Sequence, residues 1–294
     1  MQNCRKINER LESKLMDLVK DDLILENSYI MEGVDIDITD KTVSFNDNHE
    51  DNVDTSVLLN PTYYKYRDCD VISIFKRKQS VNYRGYDGNP LVYALKGLKG
   101  WKFKNDSLDS LSLLKRFVKI CNKIDKKFDT IITIPSSNPL NTHFLHGLNK
   151  IIKCDNKIDD YFIKLNSDEV LNDYYDFYRL RDDSIRLGVG YEKLKNKVIK
   201  AFDEMYADNN SVFSYKYFHA IGDSDISLRD YVIKSMKSSG NELKYSDMIN
   251  DKNILILDDT ISRGNSIVES SEDILDTFTP KSTTIITLFS ALKI

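Results

Sequence analysis

The chain lacks the features that mark several broad classes of protein. Its four cysteines are scattered along the sequence: Cys4, Cys69, Cys121 and Cys154. Because they form no C-x-x-C pair, their spacing indicates neither a disulfide framework nor a zinc site, and we expect reduced thiols. No apolar run approaches about 18 residues, and residues 2–10 are polar, so we predict no membrane span and no signal peptide. These absences favour a cytoplasmic protein without a membrane partner.

Positive charge is not in excess either. Acidic residues outnumber basic residues by 46 to 42, so the net charge does not indicate a nucleic-acid-binding protein. A local basic patch is compatible with this net charge. The chain has 294 residues, of which 41% are hydrophobic. That length and composition suit one large globular domain, or a main domain with an appended module.

One stretch near the C-terminus carries most of the functional information. Residues 254–257 read I-L-I-L, the short apolar run of a strand that is buried on both faces of a parallel sheet. Asp258 and Asp259 follow directly, and we expect the strand to end where these acids begin. A polar turn and a helix that begins at Asn265 or Ser266 come next. We expect both carboxylates to be exposed in this turn.

The predicted turn has the chemistry of an anion site. Backbone N–H groups and the positive end of a helix dipole attract a phosphate. Ser262 and Ser266 add hydroxyl donors, and Gly264 lets the backbone approach the ligand closely. Asp258 and Asp259 can accept hydrogen bonds from vicinal sugar hydroxyls, or hold a hard divalent cation directly or through water. A ligand with a phosphate at one end and a ribose in the middle satisfies both halves.

At these residues the sequence resembles the type I phosphoribosyltransferases. The apolar strand, the paired acids, Gly264 and Ser266 carry the resemblance, whereas Ser262 and Arg263 replace the two threonines, or threonine and serine, that the family usually has. The resemblance implies a site for phosphoribosyl pyrophosphate and Mg²⁺, with Asp258 and Asp259 as catalytic and metal-binding residues. The implied phosphate-binding residues of this turn are Thr260, Ser262, Arg263, Gly264, Asn265 and Ser266.

An earlier stretch repeats the same order of elements. Residues 129–134 (D-T-I-I-T-I) predict a strand, a Ser/Asn/Pro turn follows, and residues 143–152 predict a helix. Small residues with free N–H groups at the carboxyl end of a strand can wrap an anion. In the resembled family this loop binds pyrophosphate, and the residues at the matching place are Ser136, Ser137 and Asn138.

The region between the two loops is long, polar and aromatic. The resemblance implies that residues 166–250 carry a mobile lid and the elements that select the acceptor. Arg179 and Arg181 are the candidates to cover the pyrophosphate, and exposed helix charges are the alternative interpretation. The pattern also predicts helices at 191–205 and 228–237 and a strand at 212–221.

The first 105 residues differ in character. Apolar residues at helical spacing predict an amphipathic helix over 7–19, and alternation predicts a small β element over 29–59. Aromatic and basic residues alternate irregularly over 61–104. This pattern is typical either of a sheet with one solvent-exposed face or of a surface that binds single-stranded nucleic acid. Within it, residues 93–100 are similar to the lysine-rich segment that precedes the catalytic fold in the ComF-like branch of the family.

We therefore predict an α/β protein. Residues 106–294 are expected to form a type I phosphoribosyltransferase-like domain, with a mainly parallel sheet flanked by helices, and residues 1–105 an α+β N-terminal extension. The expected reaction transfers the phosphoribosyl group to an unknown base or nucleic-acid acceptor and releases pyrophosphate. Two alternatives stay open, a non-catalytic sensor of phosphoribosyl pyrophosphate or a nucleotide, and an interaction or effector module. The resemblance also implies a homodimer.

Overall fold

The structure is a computed structural model of the chain. It describes residues 33–49, 51–66, 68–78, 89–136, 144, 147–148, 151–208, 212–218, 227–261 and 265–290. The amphipathic helix predicted over 7–19 lies outside these residues. The chain divides into two units, the first formed by Met1–Asp159 with Leu243–Ile294 and the second by Asp160–Glu242.

The regular elements are numbered here in chain order. The described strands are β1 (Gly33–Asp37), β2 (Thr42–Asn46), β3 (Val53–Asp54), β4 (Thr62–Tyr66), β5 (Cys69–Arg77), β6 (Lys102–Phe103), β7 (Thr130–Thr133), β8 (Asn156–Ile158), β9 (Phe162–Lys164), β10 (Met236–Ser238), β11 (Asn253–Ile261) and β12 (Ser282–Ser290). The described helices are α1 (Asn89–Lys96), α2 (Asp106–Cys121), α3 (Ser167–Asp173), α4 (Phe177–Arg186), α5 (Tyr191–Ala207), α6 (Glu242–Ile249) and α7 (Asn265–Thr277). None of these helices is long and apolar enough to cross a membrane.

The first unit is built on a seven-stranded mixed sheet. Its order is β3-β5-β12-β11-β7-β8, with β4 also paired to β5. The neighbours from β5 to β8 are parallel, and β3 and β4 run antiparallel to β5. The apolar run at residues 254–257 is fully buried in the middle of this sheet, as a strand covered on both faces requires. The predicted α/β class, with a mostly parallel sheet flanked by helices, is confirmed.

The chain reverses its direction of travel across the sheet between β7 and β11. These two strands are parallel neighbours, with Ile254 opposite Thr130 and Leu257 opposite Thr133. From β7 the chain continues to β8 on one side, and from β11 it continues to β12 on the other. In open α/β sheets, ligands bind at such a switch point, outside the carboxyl ends of the strands.

Strand β11 is longer than the sequence predicts. It runs through both acids to Ile261, so the expectation that it ends before Asp258 is wrong. The reason is its neighbour β12, which is long enough to pair with this extension, placing Asp258 opposite Thr287 and Thr260 opposite Phe289. Pairing with an adjacent strand is a tertiary effect that the local sequence pattern does not contain.

The N-terminal third of the described chain belongs to the same unit. Strand β5 pairs directly with β12, so the main sheet uses strands from both sides of the boundary predicted at residue 105. A second sheet, of order β1-β2-β6, holds the predicted small β element. Both sheets contribute to one apolar core with helices α1 and α2, including Val34, Ile74, Leu91, Phe117, Leu255 and Ile286.

The second unit has little regular strand structure. Its strands β9 and β10 form an antiparallel pair, and helices α3, α4 and α5 surround a cluster of aromatic rings that contains Tyr175, Phe177, Phe202, Phe213, Tyr215 and Phe218. Helix α5 confirms the helix predicted over 191–205.

Two predicted elements of this unit are wrong. Residues 215–217 form a 3-10 turn where a strand was predicted over 212–221, and Val212 makes only an isolated bridge to Asn166. The helix predicted over 228–237 is a 3-10 turn at Leu228–Tyr231 followed by strand β10. At residues 213–217 the burial of aromatic side chains overrides the local pattern, and at residues 236–238 the pairing of β10 with β9 does so.

Candidate functional site

The carboxyl ends of β7 and β11 bring the two predicted loops together. The backbone N–H of Ile134 donates to the carbonyl of Leu257 at 3.1 Å, which continues the pairing just past the end of β7. Ser136 follows two residues later and is exposed. Asp258, Asp259 and Thr260 occupy the last part of β11. The described part of the first loop therefore starts beside the acidic pair.

Asp258 faces a mixed environment. Its side chain is half-buried, and its Oδ1 accepts a hydrogen bond from the backbone N–H of Asp259 at 2.8 Å. This local bond fixes the orientation of the Asp258 carboxylate relative to the strand. A carboxylate held in this way can accept hydrogen bonds from a sugar or coordinate a cation through its other lone pairs.

Asp259 is buried, so the expectation that both carboxylates are exposed is wrong for this residue. Its side chain is 7% exposed, and Oδ2 lies 2.7 Å from the Nζ atom of Lys96, whose own side chain is 16% exposed. A carboxylate out of water needs such a counter-charge, since an uncompensated buried charge is strongly destabilising. Lys96 is therefore part of the site, although the sequence reasoning did not select it.

Helix α1 crosses the carboxyl edge of the sheet and so places Lys96 beside Asp259. At the start of the helix, Oδ1 of Asn89 accepts a hydrogen bond at 2.7 Å from Arg77, the last residue of β5. Lys96 ends the helix at Asp259 on β11. Because β12 lies between β5 and β11 in the sheet, the two ends of α1 contact strands on either side of β12.

Positive charge accumulates along this edge. Arg77 at the end of β5 is 5% exposed, and the Nζ of Lys78 lies 3.5 Å from the buried carboxylate of Asp54. Arg116 is also buried, and burial lowers the pKa of its guanidinium to about 10. Arg77 lies at the carboxyl end of β5, two strands away from β11, whereas Lys96 contacts Asp259 on β11 directly.

Thr260 offers a polar atom with no described partner. Its Oγ1 is buried, and no residue within the described ranges forms a hydrogen bond with it. A buried hydroxyl is expected to be satisfied, and a ligand oxygen at the turn would satisfy it. Helix α7 begins at Asn265, as predicted, four residues past the end of β11.

The other predicted site residues fall into two groups. Ser137, Asn138, Ser262, Arg263 and Gly264 lie outside the described residues, and Asn265 and Ser266 are described only as the first backbone positions of α7. Arg179 and Arg181 lie on α4 in the second unit. The guanidinium of Arg179 donates to the carbonyl of Asp230 at 3.3 Å and lies 5.5 Å from the centroid of the Tyr231 ring. Arg181 is exposed, and the role of both arginines as a cover stays a prediction.

Comparisons with known proteins identify no relative of this chain. No protein-family model, no curated protein and no solved structure matches the chain.

Proposed function

We propose that the carboxyl edge between β7 and β11 binds phosphoribosyl pyrophosphate with Mg²⁺, and that the protein transfers the phosphoribosyl group to an acceptor. The proposal includes the finer fold assignment, a type I phosphoribosyltransferase-like arrangement of the main sheet. The observation that carries it is the meeting of two strand-turn-helix segments at the switch point, one of which has paired acids on its strand.

In this proposal, different residues of the site bind different parts of phosphoribosyl pyrophosphate. The start of α7 suits the 5-phosphate, because the first N–H groups of a helix and the positive end of its dipole attract an anion. Asp258 is the residue suited to the ribose hydroxyls, since it is half-buried and held by the N–H of Asp259. The turn after β7, with Ser136, suits the pyrophosphate.

The donor set also fits a magnesium ion. Mg²⁺ is commonly held by only one or two protein carboxylates, while phosphate oxygens and water complete its octahedron. Asp258 is a carboxylate of this kind, and the buried Oγ1 of Thr260 lies two residues further along β11, on the same face of the strand. Asp259 faces the other side and pairs with Lys96. When bound, Mg²⁺ would neutralise the negative charge that develops on the departing pyrophosphate.

The reaction is a substitution at the anomeric carbon. The bond from this carbon to the pyrophosphate oxygen breaks, and its electron pair leaves with pyrophosphate. The acceptor atom forms a new bond to the anomeric carbon with its lone pair and releases its proton to solvent. Positive charge develops on the ribose meanwhile, and the carboxylate of Asp258 beside the sugar stabilises it. Positioning and electrostatics supply the acceleration.

Titration calorimetry with phosphoribosyl pyrophosphate, with and without Mg²⁺, tests the proposal. We expect micromolar binding that depends on Mg²⁺, and weaker binding of ribose 5-phosphate. Asp258→Asn should weaken the binding of phosphoribosyl pyrophosphate at least about tenfold, the loss of one charge-assisted contact. Asp276→Asn is the matched control, because Asp276 is an exposed aspartate on α7. Equal affinity of the Asp258 variant and the parent would refute the assignment.

A second candidate function is a non-catalytic sensor that binds the same ligand as a signal. The ion pair of Asp259 with Lys96 favours it, because this carboxylate is already neutralised. Release of pyrophosphate in the presence of candidate bases or nucleic acids distinguishes the two. Binding without turnover for any acceptor favours the sensor, whereas binding of neither phosphoribosyl pyrophosphate nor ribose 5-phosphate favours an interaction module.

A further inference from the structure

We infer that the second unit carries a binding surface for duplex DNA, formed by helices α4 and α5. The first half of α5 contacts the DNA, and α4 supports it. All residues of this surface belong to the second unit. The inference does not rest on the proposed function, because it requires neither phosphoribosyl pyrophosphate nor a metal ion.

A four-residue turn joins the two helices. Helix α4 ends at Arg186, and α5 begins at Tyr191. Gly188 has a φ of 67°, and the N–H of Val189 donates to the carbonyl of Ser184 at 2.9 Å, an arrangement that ends a helix abruptly. Ser184 is small and buried, and α4 packs against α5. Packed helices joined by a short turn with a glycine can present the second helix to the major groove.

The exposed side of α5 carries a basic stripe over its first half. Lys193, Lys197 and Lys200 recur at i, i+4 and i+7, so they lie on one side of the helix, and Asn196 lies beside them. Of these four residues, which we call the α5 stripe, only Lys197 is half-buried and the others are exposed. The opposite side of α5 is buried in the core of the unit through Leu194, Val198, Ala201, Phe202 and Met205.

The positive charge of the α5 stripe is largely uncompensated. Lys193 and Lys197 form no hydrogen bond or ion pair with any residue in the part of the chain that the structure describes. Lys200 has a loose partner in Glu204, whose carboxylate lies 3.8 Å from Nζ. Because like charges at i and i+4 destabilise a helix, the stability of α5 does not explain the first two lysines. An anionic ligand would remove their repulsion.

The chemistry of the α5 stripe fits the major groove of duplex DNA. A helix with its side chains is about 10–12 Å wide, and the groove, about 12 Å wide, admits it. The lysines can contact phosphates, and the exposed amide of Asn196 can pair with N6 and N7 of adenine. Asp203 and Glu204 begin an acidic second half of α5, which repels phosphates. The contact is therefore confined to the first half, where recognition helices contact base edges.

Ordinary surface charge is the competing explanation, and helix α2 provides a matched comparison. Lys115 and Lys119 of α2 also lie at i and i+4. Both are half-buried, and neither forms an ion pair within the described ranges. Replacing either pair of lysines by glutamine changes the net charge equally. A general charge effect on DNA binding would therefore be the same for both pairs.

The test is fluorescence anisotropy of a short labelled DNA duplex of random sequence, with a chelator present, over a range of salt concentrations. The parent should bind with an affinity that falls as salt rises. Lys193→Gln with Lys197→Gln should bind at least about tenfold more weakly, and its salt slope should be smaller by about two, since two phosphate contacts are lost. Lys115→Gln with Lys119→Gln should bind like the parent. Glutamine favours helix, so both variants should fold, which far-UV circular dichroism checks.

Two further measurements separate a groove contact from a loose attraction of charges. Lys193→Arg with Lys197→Arg keeps both charges and should keep the affinity. An RNA duplex of the same sequence should bind at least about tenfold more weakly, because its deep and narrow major groove does not admit a helix.

The inference is overturned if the parent does not bind the DNA duplex at low salt, if the two glutamine variants lose affinity equally, or if the RNA duplex binds as tightly as the DNA duplex. None of these results involves phosphoribosyl pyrophosphate, so they leave the proposed function unaffected. Conversely, failure of the parent to bind phosphoribosyl pyrophosphate would refute the proposed function and not the DNA surface.

Discussion

Two lysine–aspartate pairs lie at opposite edges of the same sheet. At the carboxyl edge, Lys96 and Asp259 are 2.7 Å apart with side chains that are 16% and 7% exposed. Near the amino edge, Lys126 and Asp70 are 2.6 Å apart with side chains that are 33% and 38% exposed. The distances are nearly equal, so burial distinguishes the pairs. A buried pair is costly to break from one side, whereas an exposed pair contributes little.

Breaking the buried pair from one side should have the largest effect. Asp259→Asn leaves the ammonium group of Lys96 in a largely buried place without its counter-charge. We expect the free energy of unfolding to fall by about 3 kcal/mol, measured by urea denaturation at pH 7. A loss below about 1 kcal/mol, the range of exposed pairs, would contradict the contrast between the two edges.

Removing both partners of the buried pair should reverse most of that loss. In Lys96→Met with Asp259→Asn no unpaired charge is left, and the methionine fills similar space. We expect the double variant to unfold within about 1 kcal/mol of the parent, because buried ion pairs are nearly neutral relative to apolar replacements. The double-mutant cycle measures this coupling. Additive losses in the two single variants would show that the two side chains do not interact.

Breaking the exposed pair should have a smaller effect that depends on pH. The hydrogen bond from Lys126 lowers the pKa of the Asp70 carboxyl below its ordinary value. The lowered pKa stabilises the folded protein above the pKa of the unfolded chain, near 4, and this contribution is lost as the pH falls through the folded pKa. Asp70→Asn should cost about 0.5 kcal/mol at pH 7.

The difference between the Asp70 variant and the parent should vanish in acid. Urea denaturation at pH 7 and at successively lower pH values measures it, and Asp68→Asn serves as the control because Asp68 is an exposed neighbour. A difference that grows as the pH falls would contradict the assignment.

The smallest expected effect is that of salt on the stability losses in the Asp70→Asn and Asp259→Asn variants. At about 1 M ionic strength the screening length falls to about 3 Å, so the few tenths of a kcal/mol lost in Asp70→Asn should disappear. The loss in Asp259→Asn should remain, because buried charges are screened much less. Denaturation curves of both variants in low and high salt provide the check, and equal salt sensitivity would contradict it.

Sequence periodicity predicted the parts of the fold that local pattern determines. The apolar run at 254–257, the start of α7 and helix α5 are all found where they were predicted. Each has a hydrophobic repeat that only one type of element satisfies. The site's position between β7 and β11 follows from two repeated strand-turn-helix segments, although their adjacency required the sheet order.

The remaining features depend on contacts between distant parts of the chain. The partner of Asp259 comes from helix α1, and only the placement of α1 across the sheet edge brings it there. The extension of β11 beyond Leu257 depends on the length of β12. In the second unit, Phe213, Tyr215 and Tyr217 recur at every second residue as in a strand, yet the chain forms a 3-10 turn there, and Phe213 and Tyr217 are buried in the apolar core of this unit. No local rule predicts such burial.

Hydrogen–deuterium exchange with and without phosphoribosyl pyrophosphate and Mg²⁺ tests the central claim most directly. The account predicts slower exchange in peptides that cover residues 257–267 and 134–140, at the carboxyl edge, together with a change in the peptide that covers α1. Peptides that cover Asp70 and Lys126, at the amino edge, should exchange at the same rate in both conditions. Slower exchange at the amino edge without any change at the carboxyl edge would contradict the account.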